Sequence, residues 1–454
     1  MIRLIFMTAA LILPLIGFAQ SAESALGDKT RFYNCMDFCA IGDFLFFSAS
    51  DSLHGNELWK TDGTAEGTTM VCDIVRGEKS SNPQDIVCVN HKAFFTINKE
   101  KSHQLWVSDG TRSGTTRVRF KSGKNNQVFG YEVIDTMLVF FTENHSLWTT
   151  TGTKRETKFI KTFDGFPNPL YHPTEQYNES TMWFTAGWRL SYSQIWKTNG
   201  QKEGTLMIKE FISEDIDTVP SFIFPTKQDE MFMFIPFEKG FGIYKTNGIP
   251  GDVSDVASFT NKSLDDYEYT ILNNIMYFVV YDSLGGTLWR SDGTEAGTYM
   301  VHDARPMDQY GPHQLLNTDQ ELYFTIDDGS DGKIWKSDGT SEGTQVACDL
   351  NKFSGDEYVI IDRIFRFNNN IAIVALCPSF GKELWIYSSA TNDVRMMKDI
   401  SPGDLDSDIS NVCTVGNVLY FSVQTGALPS QLWVTDGTTE GTKKIEYSIT
   451  PVRQ

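Results

Sequence analysis

The chain has few basic side chains for its length, almost no helical periodicity, no second long apolar run and no paired-cysteine motif, and each shortage removes a class of protein. Lys and Arg number 39 against 58 Asp and Glu, a formal net charge of −19, which repels the phosphates of nucleic acid and of anionic membranes. No stretch of about ten to twelve residues keeps a 3.6-residue apolar period free of Gly, Pro and β-branched runs, which excludes helical solenoids. The seven cysteines (Cys35, Cys39, Cys72, Cys88, Cys348, Cys377 and Cys413) are too sparse for a disulfide scaffold and show no Cys-x-x-Cys pair for zinc or redox chemistry. There is no G-x-S-x-G nucleophile elbow, because the one string with that spacing, Gly339-Thr-Ser-Glu-Gly343, is a copy of the repeated turn, and H-E-x-x-H, a P-loop and a Rossmann fingerprint are missing. The seven histidines are scattered without ligand spacing.

One apolar run does occur, from Leu4 to Phe18, behind the positive Met1-Ile-Arg3 and ahead of the small residues Ala19 and Ala22. This is the layout of a secretory signal peptide, with cleavage expected after Ala19. It is shorter than the roughly 20 residues a membrane-spanning helix needs. The mature chain is therefore expected to be secreted, periplasmic or at the cell surface, with no membrane span.

What the chain has in abundance is one motif. Glu57-Leu-Trp-Lys-Thr-Asp-Gly-Thr-Ala-Glu-Gly-Thr68 returns eight more times, anchored on Trp59, Trp106, Trp148, Trp196, Tyr244, Trp289, Trp335, Trp385 and Trp433, at intervals of 42 to 50 residues. A period of this size marks stacked units that cannot bury their own apolar face alone. Within each unit four short pieces rich in β-branched and aromatic residues recur between turn formers, and they read as strands A, B, C and D. Strand B is continuously apolar, as in Phe44-Leu-Phe-Phe47 and Leu138-Val-Phe-Phe141, which predicts a sheet buried on both faces. Four strands in about 40 to 50 residues is the size of a propeller blade.

The expected fold is all-β: a β-propeller of nine four-stranded repeats in one closed ring, with two smaller propellers as the alternative. Its layout is a signal peptide over 1–19, a leader over 20–31, repeats over 32–448 and a tail over 449–454. The Trp on strand C is the expected wedge between sheets. The Asp-Gly after it is a hairpin turn, and Asn199-Gly200 and Asn247-Gly248 keep the turn while discarding the charge a calcium ring would need. Cys39 and Cys413 lie 20 residues before Trp59 and Trp433, on strand A of the first and last units, so a Cys39–Cys413 disulfide is the expected lock on ring closure. Cys72 and Cys348, each 13 residues after its Trp, read as packing.

These units resemble the ELWxxDGT repeat family of exported bacterial proteins. Units one, two, six, seven and nine carry the full string. The eighth, ELWIYSSATNDV from Glu383, departs furthest, having lost Asp, Gly and the closing Gly-Thr. The resemblance implies propeller-like architecture and an exported binding or surface role, and it supplies no catalytic residues.

Function is expected away from the repeated turns, on the face where the B–C and D–A loops vary, since binding residues concentrate on loops held by a rigid scaffold. The candidate ligand-binding side chains are Trp188, Tyr192, Tyr171, Tyr310 and His313, with the aromatics suited to stacking on a sugar or a partner. Asp404, Asp406 and Asp408 match positions 1, 3 and 5 of a calcium loop, but Ile409 and Val415 stand where Gly and Glu belong. Ca²⁺ is the only cofactor the sequence suggests. The leading expectation is a non-enzymatic scaffold binding a protein or glycan. A carbohydrate-active hydrolase or lyase, with two carboxyl groups about 5 to 9.5 Å apart, and a purely structural surface protein are the alternatives.

Overall fold

The computed structural model describes residues 33–446 except 100–101, 122–126, 170–179, 189–191, 213–219, 221, 227–228, 305–310, 319, 327–330, 356–357 and 404. The described chain forms nine antiparallel four-stranded sheets, each in simple A-B-C-D order. In the first, A is Tyr33–Ile41, B Phe44–Asp51, C Gly55–Thr61 and D Thr69–Cys72. The one helix among the described residues, Leu350–Ser354, is a single short turn.

Side chains alternate along each strand, so every blade offers one apolar row to the blade before it and one to the blade after it. Phe46 and Leu58 pack forward against Phe95 and Ile97 of blade 2, whereas Phe47 and Trp59 pack backward against Tyr420, Leu432 and Val434 of blade 9. Strand B is buried on both sides as expected, with Leu138–Thr142 and Ile371–Ala375 buried throughout. The apolar core is thus divided into nine clusters, one in each gap between adjacent blades.

Every repeated aromatic faces the preceding blade. Trp148 joins Phe94 and Leu105 of blade 2, Trp335 joins Tyr277 and Leu288 of blade 6, and Tyr244 packs on Trp183 and Ile195 of blade 4. Trp59 makes the same contact with blade 9, and the Asn34 N–H adds a 3.0 Å hydrogen bond to the Ser430 carbonyl. The nine blades therefore close into one ring, which rules out two smaller propellers.

The Asp-Gly motif is a turn, and each of its residues has a separate task. Thr64 donates its N–H and its hydroxyl to Asp62 Oδ1, at 2.9 and 2.7 Å. The Thr61 and Thr68 hydroxyls meet at 2.7 Å across its base. Gly63 has φ +89°, and a Cβ there would come 2.8 Å from the Tyr420 hydroxyl of blade 9; a Cβ on Gly67 would lie 2.0 Å from Asp62. Asp109, Asp292, Asp338 and Asp436 cap their turns in the same way. In blade 3 the carboxylate has moved: Thr151 replaces the Asp, and Glu156, in the place of the second Gly, accepts from the Thr151 and Thr153 hydroxyls at 2.5 and 2.7 Å. In this blade the cap is still a carboxylate, supplied from the other end of the turn, whereas in blades 4 and 5 the amide oxygens of Asn199 and Asn247 take its place.

The expected Cys39–Cys413 bridge is not formed; Cys39 bonds Cys88 of blade 2 instead. Facing direction is the reason. Cys39 pairs with Phe46 and Cys413 with Tyr420, equivalent positions whose side chains both point to the following blade. Two residues pointing the same way around a ring cannot meet. Cys88 pairs with Ala93, one position further along, and points back into the gap between blades 1 and 2 that Cys39 faces. Peptide mapping without reductant is expected to recover the Cys39 and Cys88 peptides joined; a Cys39–Cys413 peptide would contradict this geometry. Cys72 and Cys348 sit in interblade packing, as expected.

Candidate functional site

The A strands line the centre of the ring, and most are bulged. Register shifts interrupt A–B pairing in blades 1, 2, 3, 6, 7, 8 and 9. Several bulges hold a residue at positive φ: Asp37 (56°), Asp85 (53°), Gly130 (61°), Gln314 (55°) and Asn411 (45°). A bulge leaves ladder groups unpaired and turns side chains out of the pleat. Neighbouring blades capture those groups. The Asp85 N–H donates to Asp37 Oδ1 at 3.3 Å and the Tyr131 hydroxyl donates to the Asp85 carbonyl. The Leu315 N–H donates to Glu268 at 3.2 Å and the Ile364 N–H to Gln314 at 2.8 Å. Arg363 Nη2 donates to the Ile409 carbonyl at 2.6 Å.

The result is an inner rim that ties blade to blade and carries a dense row of charge. His313 Nδ1 lies 3.6 Å from Glu268. Lys382 Nζ lies 3.7 Å from Asp362 and 3.5 Å from Asp408, and its backbone N–H donates to Asp406 at 2.9 Å. Burial raises the Asp37 carboxyl above its ordinary value; the Asp85 N–H opposes this and the Asp85 charge adds to it. Burial, and then the charges of Asp265 and Glu268, push the Tyr281 phenol far up, which keeps it a neutral donor.

Two loops entering this face are held from beneath by buried carboxylates. Glu57 is fully buried and accepts from the backbone N–H groups of Ile74, Val75 and Ser81 at 3.1, 3.3 and 3.1 Å and from the Ser81 hydroxyl at 2.6 Å. Glu383, the matching residue of blade 8, is also fully buried and accepts from the Ser401 N–H at 3.0 Å and the Ser407 hydroxyl at 2.8 Å. In both, burial outweighs the hydrogen bonds and pushes the carboxyl up to about 7.

Of the residues singled out from the sequence, His313 stands on the inner rim beside Glu268. The Trp188 and Tyr192 backbones pair across the B–C hairpin of blade 4, on the face where variable loops were expected. Tyr171, Tyr310 and Asp404 lie outside the described residues. Asp406 and Asp408 do not converge on an empty centre; both are engaged by Lys382 of blade 8. Among the described residues no three His, Cys, Asp or Glu side chains are grouped to hold a metal, and no helix is long and apolar enough to cross a membrane. Sequence reading missed Glu268, Asp362 and Lys382, because nothing in their spacing shows that bulges bring them together. It also missed the paired role of Glu57 and Glu383, since only these two of the nine copies carry Glu at that position.

By sequence, no family model and no curated protein matches the chain. By shape it is similar to a dipeptidyl aminopeptidase IV candidate from Bacteroides ovatus, at 8% identity over 93% of this chain and 60% of that one, TM-score 0.48. A prolyl endopeptidase gives 12% identity over 77% of this chain and 54% of that one, TM-score 0.41. The computationally designed protein Ika8 gives 12% identity, 77% and 94% coverage and TM-score 0.39. The chain spans a little over half the length of the two peptidases. At these scores the likeness assigns no activity.

Proposed function

We propose that this protein is an exported, non-enzymatic β-propeller of the ELWxxDGT repeat type that binds a protein or glycan through its inner rim and B–C/D–A loop face. The observation that carries this reading is a division of labour: the repeated Trp and Asp-Gly residues are consumed by wedging and turning, while the charged residues that differ between blades gather on the inner rim. The Asp362–Lys382–Asp408 group favours binding over hydrolysis. Both carboxylates are held by one ammonium, so an acid–base pair would first have to lose Lys382.

The test compares the full chain with an Asp362→Ala/Lys382→Ala/Asp408→Ala variant on a glycan array and in pull-down from cell-surface extracts. The reading expects a reproducible ligand whose binding falls at least tenfold in the variant. No ligand in either assay, or equal binding by both proteins, would overturn it.

A further inference from the structure

The eighth blade breaks the repeat, and the break leaves a cavity. In the other blades the turn after strand C coils back so that its Gly rests on a B- or C-strand side chain of the preceding blade: Gly63 on Tyr420, Gly110 on Phe46, Gly339 on Tyr277 and Arg290. In blade 8 strand C runs on to Ser388 and strand D starts at Asp393, leaving only 389–392 between them, where blade 7 has 338–344 between its strands. Residues Tyr387 and Ser388 pair in plain register with Val394 and Asp393. No glycine turn covers Tyr323, the blade 7 counterpart of Tyr277 and Tyr420.

The uncovered slot is a cavity of about 310 Å³ between blades 7 and 8, on the opposite side of the ring from the variable loops. That is near the lower end of small-molecule sites, which run from about 300 Å³ upward. Its wall is polar. Glu321 and Tyr323 come from blade 7, and Arg366, Asn368, Asn369 and Ser389 from blade 8, over an Ile371 floor. The carboxylate is fixed in place: Lys336 Nζ lies 2.8 Å from Glu321 Oε1, and the Tyr323 hydroxyl donates to Oε2 at 2.7 Å. Glu321, Lys336 and Arg366, with Asp338 close enough to act on Glu321, leave the site without net charge. Such a wall offers many donors and acceptors and little reward for a charged ligand.

We propose that this slot is a binding site for a neutral polyhydroxylated ring, a single hexose-sized sugar, created by the loss of the blade 8 turn. A sugar ring presents vicinal hydroxyls that both donate and accept. A guanidinium, a carboxylate and two amides around one small cavity match that pattern. The site is independent of the inner rim and stands or falls separately from the proposed loop-face function.

Saturation-transfer NMR on the full chain tests it, using neutral hexoses and N-acetylhexosamines as probes, with a hexuronic acid and a hexosamine as charged controls. At least one neutral sugar is expected to bind at millimolar concentration. Its affinity is expected to fall at least tenfold in Arg366→Met, in Glu321→Gln, and in a variant whose residues 389–392 are replaced by the blade 7 turn sequence of 338–344. Circular dichroism and thermal melting would confirm that each variant folds, and the two point variants stand if the graft does not. Binding by the charged controls alone, binding by no neutral sugar, or binding that survives in every folded variant would overturn the proposal.

Discussion

Trp59→Ala is expected to lower stability by about 3 to 5 kcal/mol, the usual loss for removing a large buried aromatic, and to do so at the seam that closes the ring. The side chain is fully buried, packs on Tyr420, Leu432 and Val434 of blade 9, and donates its indole N–H to the Ala49 carbonyl at 3.1 Å. The cavity left behind cannot collapse without moving the first blade against the last. Thermal melting or denaturant titration gives the loss, and limited proteolysis gives its place, with new cleavage expected in blades 1 and 9 first. A melting temperature within a degree or two of wild type would mean that the seam is not a packed interface.

Raising the pH from 5 to 8 is expected to destabilise the ring. The Glu57 and Glu383 carboxyls are pushed by burial from the ordinary 4.5 up to about 7, so between those values the native state keeps protons that the unfolded chain releases. Stability is then fully present below about 4.5 and lost as pH rises through about 7. At 1.36 kcal/mol per pKa unit the loss is on the order of 3 kcal/mol per site as an upper bound. The turn aspartates work in the other direction. The Thr64 hydroxyl, opposed by slight burial and helped by the Thr64 N–H, holds Asp62 below its ordinary value, and Asp109, Asp292, Asp338 and Asp436 are lowered in the same way. Their contribution is lost only as pH falls through those depressed values. The stability maximum is therefore expected near pH 5. The Glu57→Gln/Glu383→Gln variant should flatten the alkaline slope, and Gln stands naturally at this position in Gln104, Gln194 and Gln431. A wild-type melting temperature that rises from pH 5 to 8, or a slope that the double variant leaves unchanged, would contradict this assignment.

The architecture was legible because the interactions that build it repeat. A continuously apolar strand B and an aromatic on strand C in nine units, with a glycine turn after strand C in eight of them, leave little freedom, and the substitutions among copies already separated packing from chemistry. What the sequence concealed depends on single-residue displacements. Counting back from Trp aligned Cys39 with Cys413 correctly but gave no facing direction. Cys88 lies 18 residues before Trp106, an even step from the 20 of Cys39, yet it faces the other way because the blade 2 B–C hairpin is one residue shorter. The inner-strand bulges that bring Glu268 to His313, and the captures that follow from them, leave no periodic trace. The eighth unit's departure from the motif is plain in the sequence, but only packing against Tyr323 reveals that a cavity takes the place of the turn.

A crystal structure of the full chain is the most direct test of a closed nine-blade ring in which the repeated motif is scaffold. It is expected to show the Trp59 indole lodged against Tyr420 and Leu432, the Asn34 N–H bonded to the Ser430 carbonyl, and five Asp-Gly turns capped by their own aspartates. A gap between the Tyr33–Ile41 and Ser407–Val415 strands, a ring split into two smaller propellers, or a metal ion bound at the Asp-Gly turns would contradict it.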